Sequence, residues 1–195
     1  GIMNVVPGRG PFVLMTAAKQ ADVTLSGRIK LEQSVENAGI LLRANTNGTE
    51  NTGYEIHFDI RHNELLIRRH AKEIKTLAKR GLRPSFGWRN FRAELAKGEI
   101  RFWLEDGDQP LLSARDESPV EGEGHIGIRA WGGAVRTDQL KLHLAKRDVL
   151  VNEIAPSKST DGELVTQAQA GLAKRRALQD LCSVMFNISE FVYID

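Results

Sequence analysis

The feature that most limits how this chain can fold is its cadence. From residue 12 to residue 144, short apolar-alternating segments are interrupted by turn residues about every ten positions. The clearest is "ADVTLSGRIKLEQ", in which Val23, Leu25, Ile29 and Leu31 share one strand face, Gly27 interrupts their row, and polar residues fill the other. Strands are expected at 12–18, 22–32, 38–44, 54–60, 64–69, 88–95, 99–104, 110–114, 125–130 and 135–144. Between them lie hairpin signals: Asn47-Gly48, "RHN" at 61–63, "AKGE" at 96–99, "EDGDQP" at 105–110 and "WGGA" at 131–134. No strand–helix–strand alternation occurs, so the reading is an all-β antiparallel sandwich or barrel. Residues 71–87 are basic and lack alternation, and are expected to form a helical turn plus loop or an insertion between strands.

After residue 145 the composition changes. Residues 1–147 are assigned to the sandwich and 148–162, with Pro156, Ser157, Ser159 and Gly162, to a linker. Residues 163–195 are assigned to a helical tail, where Leu164, Ala168, Leu172, Leu178, Leu181, Cys182 and Met185 follow helical spacing. The 195 residues are 41% apolar and 27% charged, enough for one cored domain with a small appendage. No apolar run approaches the ~18 residues of a membrane span, and the first residues lack the pattern of a signal peptide. The lone Cys182 excludes an internal disulfide and a CxxC metal site.

Three polar residues, Glu55, His57 and Asp59, fall on alternate positions of "TGYEIHFDI" and therefore on one strand face. That face reads in two ways. It is an acid/base, ligand-binding or cation-holding surface, or it is solvated and paired across strands with Arg43 or Arg68. No cofactor is called for; the E-x-H-x-D face could hold a divalent cation, which nothing else in the sequence supports. Alternation turns Trp103 away from the core, toward the groove expected to hold His57, and places Trp131 beside Gly132-Gly133 where its ring could stand exposed. Residues 61–101 hold 12 Lys or Arg against 4 Glu, a local excess of +8. That suits solvated surface or an acidic polysaccharide; no nucleic-acid motif accompanies it.

The segment "NAGILLRANTNGTENTGYEIHFD" resembles the "N-S-G-I-F-x-R … G-Y-E-[VI]-Q-[IL]-x-D" signature of the 3-keto-disaccharide hydrolase family, a concanavalin A-like sandwich. Asn37, Gly39, Ile40, Arg43, Gly53, Tyr54, Glu55 and Asp59 stand at the corresponding places. "GWRNFRAELAKGEIRFWLEDGDQPLL" and "GEGHIGIRAWGGAVRTDQLKL" are similar to the family's later strands, so the resemblance spans roughly 12–145. Laminin G-like domains and the fructan-binding modules beside family 32 glycosidases carry similar runs. The chain departs from the hydrolases in having His57 for Gln and Trp131 for His, and in lacking their opening strand; either the residues before 16 supply one or the chain is a piece of a longer protein. "RALQDLCSVMFNISEFVYID" is similar to the C-terminus of large secreted planctomycete multidomain proteins with cytochrome-like parts.

The resemblance implies a concanavalin A-like jelly-roll sandwich with an appended C-terminal helix that docks on another domain or protomer, and an extracytoplasmic setting. Its leading functional implication is recognition of a neutral or acidic oligo- or polysaccharide, with Arg43, Tyr54, His57, Trp103 and Trp131 as the ligand-binding set. The alternatives are a glycoside hydrolase, with Glu55, His57 and Asp59 as catalytic residues, and a structural assembly domain.

Overall fold

Alternation between Phe12 and Leu144 resolves into two facing sheets in a computed structural model, which describes residues 3–5, 12–47, 50–144 and 147–150. The strands are β1 (Met3–Val5), β2 (Phe12–Gln20), β3 (Val23–Leu31), β4 (Asn37–Asn47), β5 (Glu50–Asp59), β6 (Glu64–His70) and β7 (Ile74–Gly81). They continue with β8 (Arg89–Ala96), β9 (Glu99–Leu104), β10 (Leu112–Arg115), β11 (Gly124–Trp131), β12 (Val135–Leu144) and β13 (Arg147–Leu150). A seven-stranded sheet runs β1-β12-β3-β8-β9-β10, with β13 also paired to β12; a six-stranded sheet runs β2-β11-β4-β5-β6-β7. Every recorded pairing is antiparallel. No helix occurs among the described residues, which all belong to the unit Gly1–Ser157.

The core lies between the sheets. Val23, Leu25, Ile29 and Leu31 of β3 are all buried, as their alternation predicts, and Ile40, Leu42, Ile56, Phe58, Leu65 and Ile67 are buried from the six-stranded sheet. Phe58 meets Phe102 edge-on across the interior, ring centroids 5.7 Å apart, and Phe91 stacks on Phe102 at 6.5 Å. A bulge in β12 between Asp138 and Lys141, with Gln139 at φ 53°, inserts one extra residue and returns Leu140 to the core. Gly27 makes the room: a Cβ there would stand 2.8 Å from Leu140 Cδ2.

Two expectations change. The segment 71–87, expected as a helical turn plus loop or an insertion between strands, carries the edge strand β7. Its apolar residues Ile74, Leu77 and Ala78 miss the two-residue period because the β6–β7 register slips between Ile67 and Arg68. Lysines and arginines along this strand blunt an otherwise open edge. At the start of the chain, β1 pairs with β12 and β2 with β11, so the residues before 20 do supply strands. β13 takes in 148–150 of the expected linker; the rest of that linker and the 163–195 tail, with Cys182 and Met185, lie outside the described residues.

Candidate functional site

Because Ile56 and Phe58 point into the core, Glu55, His57 and Asp59 project from the opposite face of the six-stranded sheet. The three do share a face, but the solvated alternative fails: Glu55 is 0% exposed and His57 6%. Nor does Glu55 pair with Arg43 or Arg68. Its Oε1 accepts from His57 Nδ1 at 3.1 Å, its Oε2 accepts from His70 Nε2 at 2.8 Å, and Arg129 stands 3.5 Å from Oε2. Arg68 is directly opposite in register, yet the diagonal residue His70 reaches the carboxylate. Leu41 and Leu66, beside Glu55 and His57 in register, are buried too and keep the cluster dry.

Gly39 explains how an arginine two strands away joins. It lies between His57 and Arg129 in register, and Glu55 folds across it, so that a Cβ there would be 2.2 Å from Oε1. Burial alone would raise the Glu55 pKa. The hydrogen bonds from His57 and His70, with the Arg129 guanidinium nearby, outweigh it and hold the carboxyl far below its ordinary range. An ionised carboxylate only accepts, so His57 carries its proton on Nδ1 and His70 on Nε2. Asp59, two residues further along β5, sits near the surface and accepts from His62 through both the ring, at 2.9 Å, and the backbone N–H, at 3.2 Å. Burial opposes these bonds, and they win, lowering its pKa.

Trp131 sits on this same face: it is across from Asn37, which is across from Asp59, one row from Arg129-Gly39-His57. It is half-buried. Adjacent strands are about 4.8 Å apart, so indole, guanidinium and imidazole fall within the span of one sugar ring or two.

The other expected ligand residues are elsewhere. Tyr54 points inward, with its hydroxyl donating to Asp116 Oδ2 at 3.0 Å and accepting from the Val120 N–H at 2.9 Å. Burial, opposed by that N–H, raises its pKa. Arg69 and the Ser118 N–H also donate to Asp116, so Tyr54 anchors the loop between β10 and β11. Arg43, at φ 50° in the β4 bulge, donates to the Val120 carbonyl of the same loop at 2.5 Å and to the Ala21 carbonyl, in the turn between β2 and β3, at 2.7 Å. Gly53, at φ 126°, lets the Arg43 carbonyl approach; a Cβ would come 2.5 Å from it.

Trp103 does face away from the core, but on the seven-stranded sheet, and so shares no groove with His57. It is 5% exposed, with the Arg92 guanidinium 3.9 Å from its ring centroid. Sequence reasoning missed His70 and Arg129. The hairpin at 61–63 fixes the β5–β6 register and would have put His70 one diagonal from Glu55; nothing local points to Arg129. Among the described residues no group of three or more His, Cys, Asp or Glu is placed to hold a metal ion.

No family model and no curated protein matches the chain. Among solved structures it is similar to a carbohydrate-binding module, CBM66, from Bacillus subtilis: TM-score 0.62 at 15% identity, covering 72% of this chain and 86% of that one. A putative glycosyl hydrolase from Parabacteroides distasonis superposes with TM-score 0.54 at 12% identity, covering 72% and 79%. Chicken galectin 2 superposes with TM-score 0.50 at 9% identity, covering 68% and 97%. The fold is a concanavalin A-like jelly-roll sandwich. At these identities the likeness speaks for architecture alone, and that architecture carries both binding modules and hydrolases.

Proposed function

We propose that the chain is a non-catalytic carbohydrate-recognition module that holds a sugar on the outer face of its six-stranded sheet. The observation that carries this reading is Trp131 standing half-buried one row from Arg129 on the sheet face that also carries the Glu55–His57–His70 network. A pyranose or furanose presents an apolar C–H face to an aromatic ring and hydroxyls around its rim. Trp131 supplies the ring, Arg129 donates, and His57 offers its second nitrogen to a hydroxyl. The structures it resembles include a carbohydrate-binding module and a galectin, which fits this reading.

The acids argue against glycoside cleavage. A general acid needs a raised pKa, whereas burial notwithstanding, hydrogen bonds lower both Glu55 and Asp59. The two lie four residues apart on one strand, about 13 Å between Cα atoms. Cleavage takes carboxyls roughly 5–9.5 Å apart. The C-terminal resemblance supports placing the module in an exported multidomain protein, and the basic residues Arg68 and Arg129 on this face suit a uronic as well as a neutral chain.

Affinity electrophoresis through gels containing neutral glucans, fructans, xylan or polygalacturonate tests the reading. At least one should retard the protein, and Trp131→Ala should weaken that retardation. Failure of every polymer to retard the wild type would overturn it. Hydrolysis of a 3-keto-glycoside that Glu55→Gln abolishes would replace it with the enzymatic reading.

A further inference from the structure

We infer a second carbohydrate site on the opposite side of the sandwich, in a hollow of about 480 Å³ on the outer face of the seven-stranded sheet. Its floor follows one row of the register: Lys141 of β12, Ser26 of β3, Arg92 of β8 and Trp103 of β9 lie side by side. Two rims are shaped by strained backbone. Gln139, at φ 53°, bulges from β12 on one side, and Glu105, at φ 66°, opens the turn after β9 on the other. Non-glycine residues in the left-handed region persist where the surroundings hold them, and they gather at ligand sites.

The decisive atom is Trp103 Nε1. The indole is nineteen-twentieths buried, and its N–H has no hydrogen-bond partner. Buried donors are nearly always paired, so an orphan one on a residue that lines a hollow points to a ligand acceptor. Arg92 lies over the ring with its Nε 3.4 Å from a Glu94 carboxylate oxygen, and its side chain is 47% exposed, so a ligand would have to displace it to reach the N–H. The chemistry of the lining selects the ligand. Arg28, Arg92 and Lys141 balance Glu105, Asp106 and Asp108, three charges against three, so no net field favours an ion. Asn90 and Gln139 add paired donors and acceptors. A charge-balanced hollow with an aromatic base and an unpaired N–H suits the hydroxyls of a neutral sugar. With the site on the six-stranded sheet, the module would grip two chains, or two segments of one, from opposite faces. The inference shares with the proposed function only the premise that the ligand is a sugar.

The indole N–H resonances of Trp88, Trp103 and Trp131, assigned by single Trp→Phe variants, separate the two sites in one titration. Cellohexaose, laminarihexaose, xylohexaose and inulin oligosaccharides are added in turn to the 15N-labelled full chain. At least one should shift the Trp103 signal saturably, in the wild type and in Trp131→Ala alike. The exposed pair Asn90→Ala and Lys141→Ala, which leaves the core untouched, should weaken that response about tenfold or more while sparing the Trp131 signal. A Trp103 shift with Trp131 unmoved would support this site and exclude these neutral sugars from the other face, whose reading stands or falls on the polymer retardation. The inference is overturned if no oligosaccharide moves Trp103, if its shift disappears in Trp131→Ala, or if calcium chloride or sodium phosphate alone reproduces it.

Discussion

Glu55 and Gly39 lie so close across the β4–β5 pair that a Cβ on Gly39 would stand 2.2 Å from Glu55 Oε1 and 2.9 Å from both Cγ and Cδ. The carboxylate cannot yield, because His57 and His70 hold both of its oxygens. Gly39→Ala should therefore displace Glu55, scatter the imidazoles and cost about 1–3 kcal/mol in denaturant unfolding, as overpacking of a filled site does. It should also remove retardation by any polysaccharide that depends on Trp131. An alanine variant with wild-type stability and binding would show that the network is not what the glycine protects.

The depressed Glu55 pKa sets a pH dependence. The folded state prefers the ionised carboxylate, so this group contributes stability above the ordinary glutamate value near 4.5 and loses it as pH falls toward the lower folded value. Glu55→Gln should lower stability at neutral pH by about 1.5–3 kcal/mol, the worth of a hydrogen bond to a charged group. Below about pH 4.5 its stability should fall less steeply than the wild type's. Unfolding midpoints measured from pH 7 to pH 3 would check both, and parallel curves would rule out Glu55 as the titrating group.

Tyr54 holds the loop after β10 through one hydroxyl. Tyr54→Phe strands the Val120 N–H and takes a donor from Asp116, at about 1–3 kcal/mol. Amide exchange at Ser118 and Val120 should quicken. Sugar retention should persist, since this anchor lies on the core side of β5. Loss of retention with unchanged exchange would return Tyr54 to the ligand-binding set.

Lys97 and Gly98 form the two-residue turn between β8 and β9 with φ of 49° and 79°. Both positions are left-handed, where asparagine suits the first better than lysine. Lys97→Asn keeps the backbone N–H that donates to Asp22 and should raise stability by roughly 0.5–1 kcal/mol. A lower thermal midpoint would contradict this account of the turn.

How much of this could be read from residues alone depends on how locally each feature is encoded. Val23, Leu25, Ile29 and Leu31 announce their strand, because alternation and burial are the same fact seen twice. β7 stays hidden because a slip at Ile67–Arg68 breaks its period and its edge position leaves Ile74 63% exposed. Sequence does put Glu55, His57 and Asp59 on one face, but says nothing of depth: a face turned from the core reads as solvated until Leu41 and Leu66 are seen buried there. Trp103 and His57 each point outward from their own strand. That the two outward directions are opposite sides of the molecule depends on which sheet each strand joins, and that is decided by residues far away in the chain.

One detail of β12 has a topological outcome. Its far edge is shared end to end: β13 covers Lys141–Leu144, β1 covers Val135–Thr137, and both run in the same direction. Leu150 pairs with Lys141 and Met3 with Thr137, on either side of the bulge at Gln139. Met3 and Leu150 thus lie about 13 Å apart along one strand. A short bridge from Leu150 to Met3 would splice β13 and β1 into a single continuous strand, so a circular permutant opened at an exposed turn such as Lys97–Gly98 should keep the jelly roll.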